Sequence, residues 1–206
     1  VGLDSAALLT FSHDSAGHVF ANRIDGEGHI DVTLGTTILT GDNSAFSGET
    51  VIGEVIDLVG RGGILQLGNG GATGSLGGDI VNDNQLIANR TGTLTLAGTI
   101  SGSGSFTQEG TVTTTMTGTN SYTGATTVNG GTLLVNGSIA ASPVTVNEGA
   151  TLGGTGSFGD TNIADGGMIA PANSIGTPSI DGDLVFGDAT YLVEVSETAA
   201  DLIDVT

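Results

Sequence analysis

The chain has 206 residues, of which 22 are acidic and only 3 are basic, so its formal net charge is −19. Binding to nucleic acid or anionic lipid requires the opposite sign of charge, and both are therefore excluded as principal functions. Aromatic residues make up 4% of the chain and Cys is absent, which excludes a disulfide framework and a thiolate-held metal.

Short strands separated by Gly, Asn or Asp are predicted from residue 24 onward. Residues 1–23 open with an apolar run and are expected to begin partway through a turn of a larger structure. No segment has a sustained helical period, no apolar run is long enough for a membrane helix, and only 196–204 is ambiguous. The predicted strands are 30–34, 36–40, 55–59, 63–67, 79–81, 85–88, 93–97, 105–107, 111–117, 125–128, 131–135, 144–147, 150–152, 161–164, 168–170, 179–181, 183–186 and 190–195.

Two stretches of the chain occur again later at nearly the same offset. Residues 24–30 return as 100–106, and residues 40–48 return as 117–124 without a counterpart of Ala45. A long repeat of Gly-punctuated strands indicates a solenoid, in which each unit buries its apolar face against the next. With three strands and roughly 20–25 residues per turn, the sequence predicts an all-β fold, a single-stranded right-handed parallel β-helix of about eight or nine rungs. Corners are predicted at Gly130–Gly131, Gly153–Gly154 and Gly166–Gly167.

Residues 120–137 read Asn-Ser-Tyr-Thr-Gly-Ala-Thr-Thr-Val-Asn-Gly-Gly-Thr-Leu-Leu-Val-Asn-Gly. This segment resembles the passenger-associated repeat of bacterial autotransporters, whose usual form is N-x-Y-T-G-x-T-x-V-x-x-G-T-L-x-V. Residues 150–158 and 169–177 are similar to a segment near the end of such passengers, with Ala172 at a usual Gly. Residues 183–186, 191–195 and 200–205 resemble the last rungs before the membrane barrel, with Ala200-Asp201 where the family usually has Ser-Asp.

The resemblance is strong over 91–206 and weaker over 24–68. It implies a type V secretion passenger on the surface of a Gram-negative bacterium, anchored at or released from the outer membrane. It also implies the protein's own C-terminal outer-membrane β-barrel as a partner. Two regions are expected: passenger repeats over 1–137, and over 138–206 autochaperone-like rungs that precede a missing barrel. Because the chain begins with Val, it is predicted to be a fragment of a larger secreted protein.

Histidines and acids near the N-terminus are the first candidates for chemistry. His13, Asp14 and His18 lie close together in the sequence, and His29 and Asp31 follow. These residue types bind metals and move protons. Their spacing fits no helix, however, and no nucleophile stands out among the many Ser and Thr residues. A structural or solvated role is therefore favoured.

Acidic residues near the C-terminus are the second candidates. Asp181 and Asp183 form an i, i+2 pair, and Asp160 and Asp165 are expected on the adjacent rung, as a glycoside-cleaving carboxylate pair would require. The same acids and Asp188 are oxygen ligands of the kind that calcium prefers. The C-terminal half lacks Lys, Arg and Trp, and no nonapeptide calcium repeat occurs. We therefore assign no catalytic, cofactor-binding or metal-ligating residue.

Further patterns favour structural roles. The Gly-rich segments 68–71 and 102–105 lack the Lys and the helix start of a phosphate-binding loop. Thr93, Thr95 and the Thr residues of 113–117 are expected not to form columns sustained over several rungs, as ice-binding solenoids require.

Two aromatic residues occupy equivalent positions of the sequence repeat. They are Phe46 in the first copy and Tyr122 in the second. Both are predicted to pack inside the rungs and not to contact a ligand.

The sequence thus predicts a non-enzymatic, surface-exposed passenger fragment without a cofactor. It would form a rigid stalk whose C-terminal rungs nucleate folding during secretion, in a parent protein that serves adhesion or virulence. The alternative is direct adhesion to a host cell surface or matrix, or self-association, through the solenoid face. A polysaccharide-active enzyme is a third and less favoured hypothesis. Neither nucleic acid nor direct membrane insertion of this segment is expected.

Overall fold

The computed structural model describes residues 1–53, 62–171 and 176–206. Within these ranges the regular elements are all β-strands, and every ladder between them is parallel. The strands stack in about nine turns, which confirms the predicted β-solenoid. In the part of the chain described, no helix is long and apolar enough to cross a membrane.

The strands are short and follow one another with few residues between them. They are β1 (Gly2–Leu3), β2 (Leu8–Ser12), β3 (His18–Phe20), β4 (Asp25–Gly26), β5 (His29–Leu39), β6 (Glu49–Ile52), β7 (Gly63–Leu67), β8 (Asp79–Asn82), β9 (Gln85–Ala88), β10 (Leu94–Leu96), β11 (Ile100–Ser101), β12 (Ser105–Gln108), β13 (Thr113–Met116), β14 (Thr126–Val128), β15 (Thr132–Val135), β16 (Ser138–Ile139), β17 (Val144–Val146), β18 (Thr151–Gly153), β19 (Ser157–Phe158), β20 (Thr161–Ile163), β21 (Met168–Ala170), β22 (Ser179–Ile180), β23 (Leu184–Phe186), β24 (Thr190–Tyr191) and β25 (Asp204–Val205).

Successive turns place these strands on three faces. The first face carries the ladder β10, β13, β15, β18, β21 and β24, and the short pair β1–β4 forms a separate two-stranded sheet near the N-terminus. The second face runs from β2 through β5, β6, β8 and β11. It passes residues 119–121, which form no strand, and continues as the separate ladder β16, β19, β22 and β25. The third face runs without a break from β3 through β5, β7, β9, β12, β14, β17, β20 and β23.

The length of a turn, read from the numbers of paired residues, varies along the rod. Phe106 pairs with Thr126, which agrees with the predicted length of roughly 20–25 residues. Val144 pairs with Thr161, and this turn is shorter than predicted. Glu49 pairs with Asp79 in a longer turn, because residues 54–61 lie within it.

A single apolar core fills the rod. Alternation along each strand directs one side chain inward and the next outward. The inward side chains form one cluster that extends from Leu3 to Ile180, with Leu86 and Phe106 among its fully buried members. Stacking of similar turns therefore replaces the globular core of an ordinary domain.

The predicted corners are confirmed, whereas several strand boundaries were wrong. Gly131, Gly154 and Gly166 have φ of +62°, +113° and +73°, the conformation that corners require. Parallel pairing begins at Gly2 and not at residue 24.

Several of the predicted strands have different bounds, and one cannot be compared. The predicted strands 30–34 and 36–40 are one strand, β5, and 190–195 shortens to β24. The predicted strand 55–59 lies outside the described residues, and so does Ala172 of the family motif.

Candidate functional site

The last turn of the rod presents apolar side chains to solvent. Among the described residues, strands β23, β24 and β25 each pair with another strand on one side only. Phe186 is 41% exposed and Tyr191 is 37% exposed, although the residues they pair with in the preceding turn, Ile163 and Ile169, are fully buried. The exposed group comprises Val185, Phe186, Tyr191, Leu192, Val193, Val195, Leu202 and Val205. A cluster of this kind marks a surface that another layer of structure can cover.

Asp201 ties this last turn together. Its side chain is buried, and its two oxygens accept hydrogen bonds from the backbone N–H groups of Gly176, at 2.8 Å, and Glu194, at 2.7 Å. An antiparallel bridge between Val195 and Ala200 closes the turn that carries it. The ambiguous segment 196–204 is therefore a turn followed by the start of β25. Only the family resemblance pointed to Asp201 in the sequence.

Asn43 and Asn120 make the same contact in the two sequence repeats. The side-chain oxygen of Asn43 accepts the Ile24 N–H at 2.7 Å, and that of Asn120 accepts the Ile100 N–H at 2.8 Å. Each asparagine also donates to a nearby carbonyl, and both are buried. The repeated Asn thus satisfies a buried backbone donor of the preceding turn, a role that the sequence pattern alone did not reveal.

Tyr122 and Phe46 are buried in the core, as predicted. The Tyr122 hydroxyl begins a buried chain of hydroxyl groups, 2.7 Å from Thr126 Oγ1, which lies 2.8 Å from Ser142 Oγ. Ser142 donates to the Gly124 carbonyl at 2.7 Å and ends the chain. Burial raises the pKa of the Tyr122 phenol to about 12, although its two hydroxyl partners oppose that change.

The first group of N-terminal candidates surrounds His13. Its Nδ1 lies 2.9 Å from Ser15 Oγ and its Nε2 lies 3.1 Å from Thr37 Oγ1. The His18 ring lies 5.1 Å from the His13 ring, centroid to centroid. A groove of about 330 Å³ beside them is lined by His13 and Asp14, among others. The sequence analysis singled out neither hydroxyl. The only pattern that could have pointed to one is the position of Ser15, two residues after His13.

His29 lies between two carboxylates. Its Nε2 is 2.9 Å from Asp31, its neighbour along β5, and its Nδ1 is 3.6 Å from Glu49 on β6. His29 and Asp31 are therefore in direct contact, and both groups are partly exposed. Within the described ranges, no group of three or more His, Cys, Asp or Glu side chains could hold a metal ion.

The C-terminal acids bind backbone groups of the following turn. The Asp160 carboxylate accepts the Asp183 N–H at 2.9 Å, and Asp165 accepts the Asp188 N–H at 2.8 Å. Asp160 and Asp183 line one shallow groove, whose lining does not include Asp181. The structure thus brings Asp183 to Asp160 and gives the carboxylates of Asp160 and Asp165 a role in joining turns.

A carboxylate from another turn also binds the Gly-rich segment 102–105. The N–H and hydroxyl of Ser103 both donate to Asp83, at 3.0 and 3.3 Å. A carboxylate of the preceding turn therefore occupies the place where a phosphate-binding loop would hold its ligand.

The expectation that Thr columns are not sustained holds for Thr95, whose column ends at Leu134 after Thr115, but was wrong for Thr113. Thr113, Thr132 and Thr151 stack in three successive turns on the first face. A second column, on the third face, contains Thr107, Thr127 and Thr145. Turns differ in length along the rod, so equal positions could not be aligned by a fixed period in the sequence.

Comparison with known proteins agrees with the resemblance found in the sequence. The passenger-associated-transport-repeat family matches residues 34–54 and 106–135. The chain is also similar to the adhesin BmaC autotransporter of Brucella suis biovar 1 (strain 1330), with 49% identity over 61 residues. No solved structure matches the chain significantly.

The match to the Brucella adhesin covers 29% of this chain and 2% of that protein. Both matched segments of the repeat family include regular strands of the solenoid, and the second contains Tyr122 and the start of the hydroxyl chain. Together these findings support the interpretation of the chain as part of an autotransporter passenger domain.

Proposed function

The chain carries the repeats of autotransporter passengers, and from this premise we propose that it forms a rigid, non-catalytic stalk of the passenger. Its place is the bacterial cell surface, anchored at or released from the outer membrane, where the protein's own C-terminal β-barrel is its partner. The last rungs, over 138–206, nucleate the folding of the rest during secretion. The parent protein serves adhesion or virulence.

The stalk role is supported by the continuity of the core. One apolar cluster runs from Leu3 to Ile180, and each turn contacts the turns next to it. Such a rod is stabilised by the sum of its nearest-neighbour interfaces, and ladders on several faces make it resist bending. The net charge of −19 keeps the exposed sheets soluble and discourages pairing between rods.

A folding nucleus must hold together without the turns that precede it, and side-chain hydrogen bonds join neighbouring turns near the C-terminus. Asp160, Asp165 and Asp201 each accept backbone N–H groups from other segments, and Thr126 and Ser142 join two turns through buried hydroxyls.

Within this region, the turn that joins Val144 to Thr161 is shorter than the turns nearer the N-terminus, whereas the turn that follows it, from Thr161 to Leu184, is longer. Short loops between contacting residues lose little entropy on closing, so turns of this kind are suited to form first.

Refolding of truncated chains tests this proposal. The chain 1–137 lacks the proposed nucleus, and the chain 70–206 lacks an N-terminal segment of the same length. After dilution from denaturant, limited proteolysis should show a protected core in 1–206 and 70–206 but slow or absent protection in 1–137. If the two truncated chains regain protection equally, the C-terminal rungs are not the nucleus.

Direct adhesion through a solenoid face is the second candidate. One outward column of the third face carries no charge along the rod, despite the strongly acidic composition. This column consists of Val19, Ile38, Gln66, Ile87, Thr107, Thr127, Thr145, Asn162 and Val185, of which Thr107 is buried. The Brucella relative is named as an adhesin. Self-association through this column should strengthen with salt, because salt screens the repulsion between two acidic rods, and sedimentation velocity would detect the dimer.

A polysaccharide-active enzyme has the least support. The carboxylates of Asp160 and Asp165 are engaged with backbone donors, and the groove beside Asp183 is shallow. To support this hypothesis, the chain would have to show an activity on a polysaccharide, and that activity would have to be lost when Asp181 and Asp183 are neutralised.

A further inference from the structure

The ladder of the first face ends abruptly at β10. Strand β10 pairs with β13 of the following turn, whereas residues 68–78 of the preceding turn pass its other edge without forming a strand. Gly74, at φ +102°, turns the chain close to the turn before it, where a Cβ atom would collide with the Leu39 carbonyl. Strand β10 therefore has one free edge.

A groove of about 390 Å³ lies at this edge. Its polar lining includes Asp42, Ser44, Ser75 and Arg90. Thr93 and Thr95 also line it, and both are exposed. The groove is short because the chain closes it at both ends.

The two closed ends are formed by backbone contacts between adjacent turns. Ala72 lies directly against Gly92, and Gly78 lies against Gly98. An extended peptide strand that continued past either end would collide with these contacts. The shape therefore favours a compact ligand over an added strand.

One acid and one base face this groove, and each is held in place. The Asp42 carboxylate accepts the hydroxyls of Ser44 and Ser75 and the Ser44 N–H, and these hydrogen bonds lower its pKa to about 2. The Arg90 guanidinium donates to the carbonyls of Ala72 and Gly74, at 2.6 and 3.0 Å. The carboxylate disfavours an anionic ligand, and the guanidinium disfavours a cationic one.

The second sequence repeat shows that the fold does not require Asp42. At the matching position the second copy has Thr119, yet Asn120 makes the same hydrogen bond to the preceding turn as Asn43 does. The turn forms in both copies, but the carboxylate beside the groove occurs in the first copy alone. Asp42 is therefore not part of the pattern that the two copies share.

We propose that this groove binds a single uncharged sugar unit, such as the terminal residue of a glycan. The exposed hydroxyls of Thr93 and Thr95 can both donate and accept, and together with one carboxylate and one guanidinium they match the hydrogen-bonding pattern of a neutral polyhydroxylated ring. No aromatic side chain is among the described residues that line the groove, so affinity for one sugar is low and repeated display of the passenger on a surface raises it. The site gives the adhesive alternative a specific ligand class and is independent of the folding role.

The test is an NMR titration of the ¹⁵N-labelled chain 1–206. The probes are galactose, mannose, glucose and N-acetylglucosamine, with N-acetylneuraminic acid as an anionic sugar, glucosamine as a cationic one and acetyl-Thr-Lys-Thr-amide as a peptide. We expect saturable amide shifts, confined to Gly74, Ser75 and residues 93–95, with at least one neutral sugar. Asp42→Asn and Thr95→Val should each raise Kd about tenfold, as loss of one ligand hydrogen bond implies.

Thr115→Val is the matched control, because Thr115 pairs with Thr95 in the next turn and lies outside the groove. It should leave Kd within about twofold of the unmodified chain. The proposal is overturned if no neutral sugar gives saturable shifts, if only a charged sugar or the peptide binds, or if Thr115→Val weakens binding as much as Thr95→Val. None of these results would affect refolding of the truncated chains, so failure here is distinguishable from failure of the folding role.

Discussion

Buried asparagine is the residue-scale feature that most clearly links the sequence repeat to the structure. Asn43 and Asn120 each accept a backbone N–H of the preceding turn, from Ile24 and Ile100. The N-x-Y-T-G pattern therefore combines a hydrogen-bonding residue with an aromatic residue that fills the core. Neighbouring turns are joined by both.

Replacing Asn120 by Ala should destabilise the chain by about 1–3 kcal/mol, because the Ile100 N–H would remain buried without a partner. The free energy of unfolding in urea, followed by circular dichroism, measures this. Asn162→Ala is the control, since Asn162 is exposed on β20 and its loss should cost less than about 0.5 kcal/mol. Equal stability of both variants would remove the role assigned to Asn120.

The buried phenol of Tyr122 leads us to expect that the folded chain loses stability at high pH. Its pKa is about 12 in the folded chain and 10.0 ordinarily, so the folded state holds the proton more tightly. The resulting stabilisation is complete below pH 10 and is lost between pH 10 and 12, by about 2–3 kcal/mol in total. Unfolding measured across this window should show the decline in the natural chain and a weaker decline in Tyr122→Phe. An identical pH dependence of the two chains would contradict it.

Residue roles were predictable from the sequence only where a pattern repeated. Phe46 and Tyr122 were placed in the core because they occupy equivalent positions. The rung-joining role of Asp160 was not predictable, because it depends on which residue lies in the next turn. Asp42 and Arg90 approach one groove from segments that are distant in the sequence, so no local pattern marks them.

Corners are the element-scale feature that fixes where each turn ends. Gly154 has φ +113°, and a Cβ atom there would collide with the Val135 carbonyl. Gly149 has φ +74° and open space around the same position. A comparison of substitutions at the two glycines therefore separates the effect of backbone strain from the effect of steric collision.

Gly154→Ala should destabilise the chain by about 3 kcal/mol or more, since it adds a backbone collision to a strained φ. Gly149→Ala should cost only about 1–2 kcal/mol, because it introduces strain alone. Thermal or urea unfolding of both variants provides the comparison. A cost for Gly149→Ala as large as that for Gly154→Ala would mean that packing against Val135 does not determine this corner.

Most of the longer strands were predictable, because alternation of apolar and polar residues is visible over their length. The shortest strands, such as β11, β16 and β19, were missed because they are too short to show a period. Their position is set by pairing with strands in adjacent turns. Thr columns were misjudged for a related reason, since the spacing of paired residues changes from one turn to the next.

At the scale of the whole molecule, the repeat in the sequence was sufficient to predict a parallel β-solenoid of about nine turns. Its right-handedness stays a prediction, consistent with the usual handedness of parallel crossovers. The end of the first-face ladder at β10 was not predictable, because residues 68–78 contain Gly-rich sequence of the kind found at ordinary corners. The exposed apolar side chains of the last turn likewise appear only once the strands have been stacked.

The central claim, that the C-terminal rungs nucleate folding, is tested most directly by pulse-labelling hydrogen exchange during refolding of 1–206. Amides of the turns over 138–206 should become protected first, and protection should then spread toward the N-terminus turn by turn. Earlier or simultaneous protection of the turns that contain β2 to β7 would contradict the claim and leave this segment as a stalk without a folding role.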